Sequence, residues 1–258
     1  MANIVDVAQR LLLAYENRTP IPPVRGEING TSEAYAVQRE TVKYWTKTGR
    51  KIAGRKIGLT SKAVQAQLGV DEPDFGALLD DMILADSASV ASGAVLQPRV
   101  EAEIAFVLGK DLTGEKITPQ QVLAATDYVS PAIEICGSRI ARWDIKIEDT
   151  IADNASAGRV VVGSKKILRP ELDALAAVGM SLTLGGNEVA QGRGAACLGN
   201  PAIAVAWLAE ALTRFGDRLS AGDLVMSGAL AKMIPAQAGN RFKAEFADFG
   251  TVSVIFGN

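Results

Sequence analysis

The chain has 258 residues, with 27 lysines and arginines against 29 aspartates and glutamates, a net charge of −2, and no histidine. That balance points to no nucleic-acid or membrane-surface partner, and the missing histidine leaves acid–base chemistry to Asp, Glu, Lys or Tyr. Apolar residues at 48% supply a sizeable core. Cys136 and Cys197 have no metal or redox spacing and, with no signal peptide or apolar run of transmembrane length, the chain reads as cytoplasmic with reduced thiols.

Residues 3–16 carry Ile4, Val5, Ala8, Leu11, Leu12 and Tyr15 at the spacing of an amphipathic helix. Pro20-Ile-Pro-Pro23 breaks it. Thr31 or Ser32 caps a second helix through about Lys47, which Gly49 ends. A short strand at 56–59, a helix from Ser61 to about Leu68 and a turn-rich loop from Gly69 to Gly76 follow. Strands are expected at 82–84, 93–97, 100–108, 133–136, 159–163, 180–184, 223–227, 241–247 and 251–256. Helices fall at Pro119–Thr126, Pro170–Ala177 and Asn200–Phe215, the last capped by Asn200. The pattern is α+β: a helical N-terminal region, 1–50, on one main domain, 51–258, with a mostly antiparallel, rolled or barrel-like β core.

Glu101 and Glu103 are two apart in an otherwise apolar strand, so both carboxylates leave the same face of a buried element. Two buried like charges persist only if protonated or neutralised by a cation. A hard, oxygen-liganded Mg²⁺ or Mn²⁺ suits them, and a solvated edge strand is the alternative. Glu134 lies in a second apolar strand and would complete a three-carboxylate site, although spacing alone does not bring it to the pair. Lys56, at the end of a strand, is either a partly desolvated acid or a snorkelling lysine. Asp74 is either an acid–base group on a mobile loop or a turn former. In 149–158, Asn154 and Ser156 are candidates for holding a substrate carboxylate and Asp153 for orienting the lysine; an ordinary polar loop fits nearly as well.

Six segments, 54–61, 68–76, 97–105, 149–156, 192–201 and 222–230, resemble the 2-keto-4-pentenoate hydratases of the fumarylacetoacetate hydrolase superfamily, in order and over nearly the whole chain. The resemblance implies a rolled mixed β-sheet with flanking helices, and a metal triad at Glu101, Glu103 and Glu134. It implies Lys56 and Asp74 as the acid–base pair, with Ser227, Asn154 and Ser156 as substrate-binding residues. The implied reaction adds water to 2-hydroxypenta-2,4-dienoate to give 4-hydroxy-2-oxopentanoate, with Mg²⁺ or Mn²⁺ as cofactor, in a homo-oligomer that can associate with another pathway enzyme. The alternatives are a 4-oxalocrotonate-type decarboxylase on the same scaffold, a hydratase of a longer dioate, and a non-catalytic partner subunit. For the dioate reading no arginine in the sequence stands out as the second cation.

Overall fold

The structure, a computed structural model, describes residues 3–61, 65 and 72–257. The helix expected from Ser61 to about Leu68 and the first part of the following loop lie outside the described residues, apart from Ser61 and Gln65.

Helix α1 (Ile4–Asn17) starts where the Asn3 side chain accepts the Asp6 N–H, and buries Val7, Ala8, Leu11 and Leu12. Helix α2 (Gly30–Lys47) begins one residue before the expected caps. Its N-terminus is closed instead by the Asn29 N–H donating to Glu33 Oε2 at 2.8 Å. Strands β1 (Ile52–Gly58), β2 (Asp74–Leu79), β3 (Ile83–Ala85), β4 (Ala88–Val90) and β5 (Arg99–Leu108) follow. Then come α3 (Pro119–Ala125), β6 (Thr126–Cys136), α4 (Ile147–Ala152), β7 (Arg159–Val162), β8 (Ile167–Leu168), α5 (Leu172–Ala177), β9 (Gly179–Leu184) and β10 (Asn187–Arg193). Helix α6 (Pro201–Arg214) precedes β11 (Leu224–Met226), β12 (Ile234–Pro235), β13 (Arg241–Phe246) and β14 (Gly250–Phe256).

The larger sheet runs β2-β1-β11-β5-β6-β7-β3, with β12 beside β5 and β8 beside β6; the smaller runs β10-β9-β13-β14-β4. Pairings are antiparallel except β1 with β11, β3 with β7 and β14 with β4. This is a mixed, curled sheet with flanking helices, as the sequence implied. The expected strand at 93–97 is absent: Gly93 and Gln97 have φ of +71° and +48°, which turns the chain there. Strand β6 is longer than expected because Pro131 does not interrupt it. The proline falls between the stretch that pairs with β7, Ala132–Ile135, and the stretch that pairs with β8, Tyr128–Val129, where the ladder on that side is already broken.

The larger core forms on one face of the main sheet, where Ile104, Phe106, Ile133 and Ile135 meet Phe242, Val252 and Val254 of the smaller sheet. On the other face a smaller cluster gathers Leu78, Ala105, Ala132, Val160 and Met226 under Leu12 of α1 and Trp45 of α2. The N-terminal helices are thus part of the packing on that face. One described run, Gly194–Arg214, has the length and hydropathy of a membrane span, but 61% of its apolar window is buried inside the fold as it leads into and forms α6.

Candidate active site

Strand register settles what sequence spacing left open. Gly76, Lys56, Met226, Ala105 and Ser130 are successive cross-strand partners on β2, β1, β11, β5 and β6, so they mark one face of the sheet. Steps of two along each strand put Asp74, Glu103, Glu101 and Glu134 on that same face. Glu101 and Glu134 are direct partners across β5 and β6. The face therefore carries Asp74, Lys56 and the three glutamates beside members of the small apolar cluster: Ala132 and Val160 are the cross-strand partners of Glu103 and Glu134, and Met226 is that of Lys56.

Glu103 and Glu134 are fully buried, and Glu101 is partly covered. Single ligand atoms of Glu101, Glu134 and Cys136 lie within 4.8 Å of one another. The Cys136 thiol donates to Glu101 Oε2 at 3.5 Å. Glu103 lies outside this tightest group; its Oε2 accepts the Gly228 N–H at 2.8 Å. Glu103 Oε1 and both oxygens of Glu134 are buried with no hydrogen-bond partner among the described residues. Burial, and next the Glu134 charge, push the Glu101 carboxyl up to about 7. The same causes, with Glu101 added, hold Glu103 well above the usual range. Burial also raises Glu134, against the pull of Lys56. Buried carboxyl oxygens without donors are what a hard divalent cation satisfies, so the residues present fit Mg²⁺ or Mn²⁺.

Lys56 Nζ donates to the Ala155 carbonyl at 2.9 Å and lies 3.4 Å from Glu134 Oε1. Burial opposes its charge, but the surrounding acids, Glu134 foremost, hold it protonated well above the ordinary lysine value. Asp74 is not on a mobile loop. It opens β2 opposite Gly58 and is 1% exposed. Its Oδ2 accepts from Thr150 Oγ1 at 3.1 Å, while Oδ1 has no hydrogen-bond partner among the described residues. Burial raises its pKa, with Lys56 the largest opposing influence. A Cβ on Gly58 would sit 2.1 Å from Asp74 Oδ1 and 3.3 Å from Lys56 Nζ, so the two groups flank that glycine.

The segment 149–158 is a helix end and a strained turn, not a loose polar loop. Asp153 does not orient Lys56: its carboxylate accepts the Arg139 N–H at 2.9 Å and the Arg139 guanidinium through Nε. The same guanidinium reaches the carbonyls of Asp153 at 2.6 Å and Ala157 at 3.0 Å. Burial pushes the Asp153 carboxyl up to about 6, against the Arg139 charge. Asn154, Ala155 and Ser156 have φ of +53°, +50° and +54°. Left-handed backbone costs non-glycine residues roughly 1–2 kcal/mol each, so this turn persists because its neighbours hold it. Arg139 is one holder. The other is the Asn154 amide, which accepts from Ala77 N at 2.8 Å and donates to Ala77 O at 2.9 Å. The Asn154 amide oxygen and one of its two amide N–H bonds are thus spent on β2, where they position the turn, which leaves the second N–H as its one donor for a substrate carboxylate. The turn aims the Ala155 carbonyl at Lys56. Ser156 Oγ and Ser227 Oγ are buried without hydrogen-bond partners among the described residues and can donate.

Sequence reasoning missed Gln38, Arg139 and Thr150. Gln38 on α2 donates to the carbonyls of Phe75 and Ile151 at 2.8 and 2.9 Å, tying β2 to α4. The Thr150–Asp74 and Gln38–Ile151 bonds join residues 76 and 113 positions apart, and no local pattern announces them. A groove of about 340 Å³ between α1 and α2, lined by residues such as Leu12, Leu13 and Tyr44, contains none of these groups.

Residues 51–255 match the family model described as fumarylacetoacetate (FAA) hydrolase C-terminal. The chain belongs to the fumarylacetoacetate hydrolase family. Within that family it is similar to the 2-keto-4-pentenoate hydratase of Paraburkholderia xenovorans (strain LB400), with 49% identity over 253 residues, 97% of this chain and 94% of that protein. It is 45% identical over 226 residues, 87% of this chain and 85% of the other, to the 2-hydroxyhexa-2,4-dienoate hydratase of Comamonas testosteroni. Among solved structures it is similar to 4-oxalocrotonate decarboxylase from Pseudomonas putida G7 complexed with magnesium and adipate, with a TM-score of 0.94, 33% identity, and 98% and 97% of the two chains covered.

Proposed function

We propose that the protein is a metal-dependent hydratase that converts 2-hydroxypenta-2,4-dienoate and water to 4-hydroxy-2-oxopentanoate in the catabolism of aromatic-ring cleavage products. The observation that carries the reading is the set of orphaned, buried carboxyl oxygens on the sheet face that also holds Lys56 and Asp74. Similarity to hydratases over 97% of the chain supports the reaction class. Glu101, Glu103 and Glu134 would hold Mg²⁺ or Mn²⁺, which supplies Lewis acidity that stabilises negative charge on the substrate's carboxylate and C2 oxygen.

The remaining work is proton movement by this chain's own residues. The dienol loses its hydroxyl proton and C5 gains one; hydroxide from water then bonds to C4 and a proton ends at C3. Lys56, kept charged by the acids around it, is suited to deliver the proton to C5. Asp74 is suited to take the proton from the attacking water, because its Oδ1 is unpartnered and its basicity is raised by burial. Ser156 and Ser227 supply hydroxyl donors for the substrate carboxylate. Burial of the whole set limits water to what the reaction consumes.

The test is a Mg²⁺-dependent ultraviolet assay on the dienoate with the product identified by mass. Metal-dependent loss of absorbance with gain of one water is expected. No turnover, with CO₂ released from 4-oxalocrotonate, would move the assignment to the decarboxylase that shares the fold. We further propose a cytoplasmic homo-oligomer; a monomer by light scattering at assay concentration would refute the oligomer.

A further inference from the structure

We infer that Cys136 makes this metal site a mixed carboxylate–thiolate site, able to capture a thiophilic divalent cation of the Zn²⁺ class in competition with Mg²⁺. The inference rests on the metal site proposed above and adds a ligand that the sequence spacing gave no reason to include.

Cys136 follows Glu134 by two residues on β6 and is the cross-strand partner of Arg99, two residues before Glu101 on β5. Its thiol therefore leaves the same face as both glutamates. It is 3% exposed, and its Sγ belongs to the tightest ligand group in the described residues, with Glu101 and Glu134. A second observation points to a cation at the same place. Glu134 is 0% exposed, and both its oxygens are buried with no hydrogen-bond partner among the described residues.

The spacing suits a small tetrahedral ion. Zinc–sulfur and zinc–oxygen bonds of about 2.3 and about 2.0 Å at the tetrahedral angle give a sulfur–oxygen edge of about 3.5 Å. The Cys136 Sγ to Glu101 Oε2 separation is 3.5 Å. Mg²⁺ takes oxygen ligands and leaves the thiol protonated, whereas Zn²⁺, Cd²⁺ and Co²⁺ bond to sulfur. The balance is simple: the S–H bond breaks, the sulfur–metal bond forms, and the proton passes to solvent. A thiophilic ion held this way occupies the carboxylates that Mg²⁺ needs. Trace zinc would then act as a tight, chelator-reversible competitor.

The probe is Co²⁺ added to the metal-stripped, full-length protein. Thiolate ligation produces a near-ultraviolet sulfur-to-cobalt charge-transfer band that carboxylate ligation does not. The wild-type protein is expected to show the band, Cys136→Ser and Cys136→Ala to lose it, and Cys197→Ser to keep it. Calorimetric Zn²⁺ affinity is expected to fall about tenfold or more in Cys136→Ser, with a much smaller change for Mg²⁺. A wild-type cobalt complex without the band overturns the inference, and so does a band that survives both Cys136 replacements. Since the wild-type spectrum decides, a variant that fails to fold does not leave the question open. No substrate is used, so the two readings fail separately: the band without hydratase turnover sinks the function, and turnover without the band sinks the thiolate ligand.

Discussion

Replacing Gly58 with alanine adds one methyl carbon between the two groups assigned to proton transfer, and it changes no titratable side chain. The new carbon would lie 2.1 Å from Asp74 Oδ1, 3.2 Å from its Cγ and 3.3 Å from Lys56 Nζ. Ordinary contact distances require the carboxylate to retreat by about 1 Å. Asp74 has little room to do so. It is 1% exposed, its backbone is paired with Gly58 itself, and its Oδ2 is held by Thr150 at 3.1 Å. Overpacking of this kind costs about 1–3 kcal/mol of stability, which thermal unfolding measures directly. Misplacing a reacting group by about 1 Å costs about 10²-fold in rate, equivalent to about 2.7 kcal/mol of barrier. We therefore expect kcat of Gly58→Ala to fall about 10²-fold at saturating Mg²⁺. KM and Mg²⁺ affinity should change far less, because the carboxylates proposed to hold the metal lie on β5 and β6. Steady-state kinetics, beside calorimetric Mg²⁺ binding, separate the two effects. A folded Gly58→Ala enzyme with kcat close to wild type would refute the placement of the chemistry between Asp74 and Lys56.

The remaining predictions use other parts of the site. Glu134→Gln is expected to abolish Mg²⁺ binding by calorimetry while the protein stays folded, since it removes the charge of a buried carboxylate whose oxygens accept no hydrogen bond among the described residues and whose Oε1 lies 3.4 Å from Lys56 Nζ; retained affinity would put the metal elsewhere. Asp74→Asn is expected to lower kcat by 10²-fold or more at unchanged Mg²⁺ affinity, and near-normal turnover would remove Asp74 from the mechanism. Asp153→Ala leaves the buried Arg139 charge unpaired and should cost about 3–5 kcal/mol in urea unfolding; a loss below about 1 kcal/mol would show that the strained turn stands without the pair. The metal-free protein should also lose stability with rising pH. The Glu101 carboxyl is held up to about 7 in the folded state, above its unfolded value, so its contribution is complete below about 4.5 and is lost as pH rises through about 7. Tm should fall between pH 5 and pH 8 and flatten when Mg²⁺ or Mn²⁺ saturates the site. A metal-free profile that rises over that range would contradict the burial of these carboxyls.

Much of the architecture follows from local pattern. The apolar spacing in α1 and α2, the Asn200-Pro201 start of α6 and the alternation in β13 and β14 are short-range signals, and each produced an element within a residue or two of its expected bounds. Strand β2 was read partly as a turn because it contains Pro73 beside it and Gly76 within it. Gly76 is there for a tertiary reason: a Cβ would meet the Asn154 carbonyl at 2.3 Å. The face shared by Glu101 and Glu103 was also legible, since strand periodicity is two residues long and needs no partner to express it.

Local pattern was thus enough to show which residue types could do chemistry, that two of the carboxylates share a face, and which segments form most of the sheet and helices. Strand pairing set Glu134 opposite Glu101, brought Cys136 to them, and placed Lys56 and Asp74 on either side of Gly58. Tertiary contacts also gave Asp153 to Arg139 and tied the Asn154 amide to Ala77. The physical reason is that periodicity is a property of one strand, whereas register is a property of two. Which buried groups find partners is then settled by burial and long-range hydrogen bonds, which a single strand's spacing does not encode.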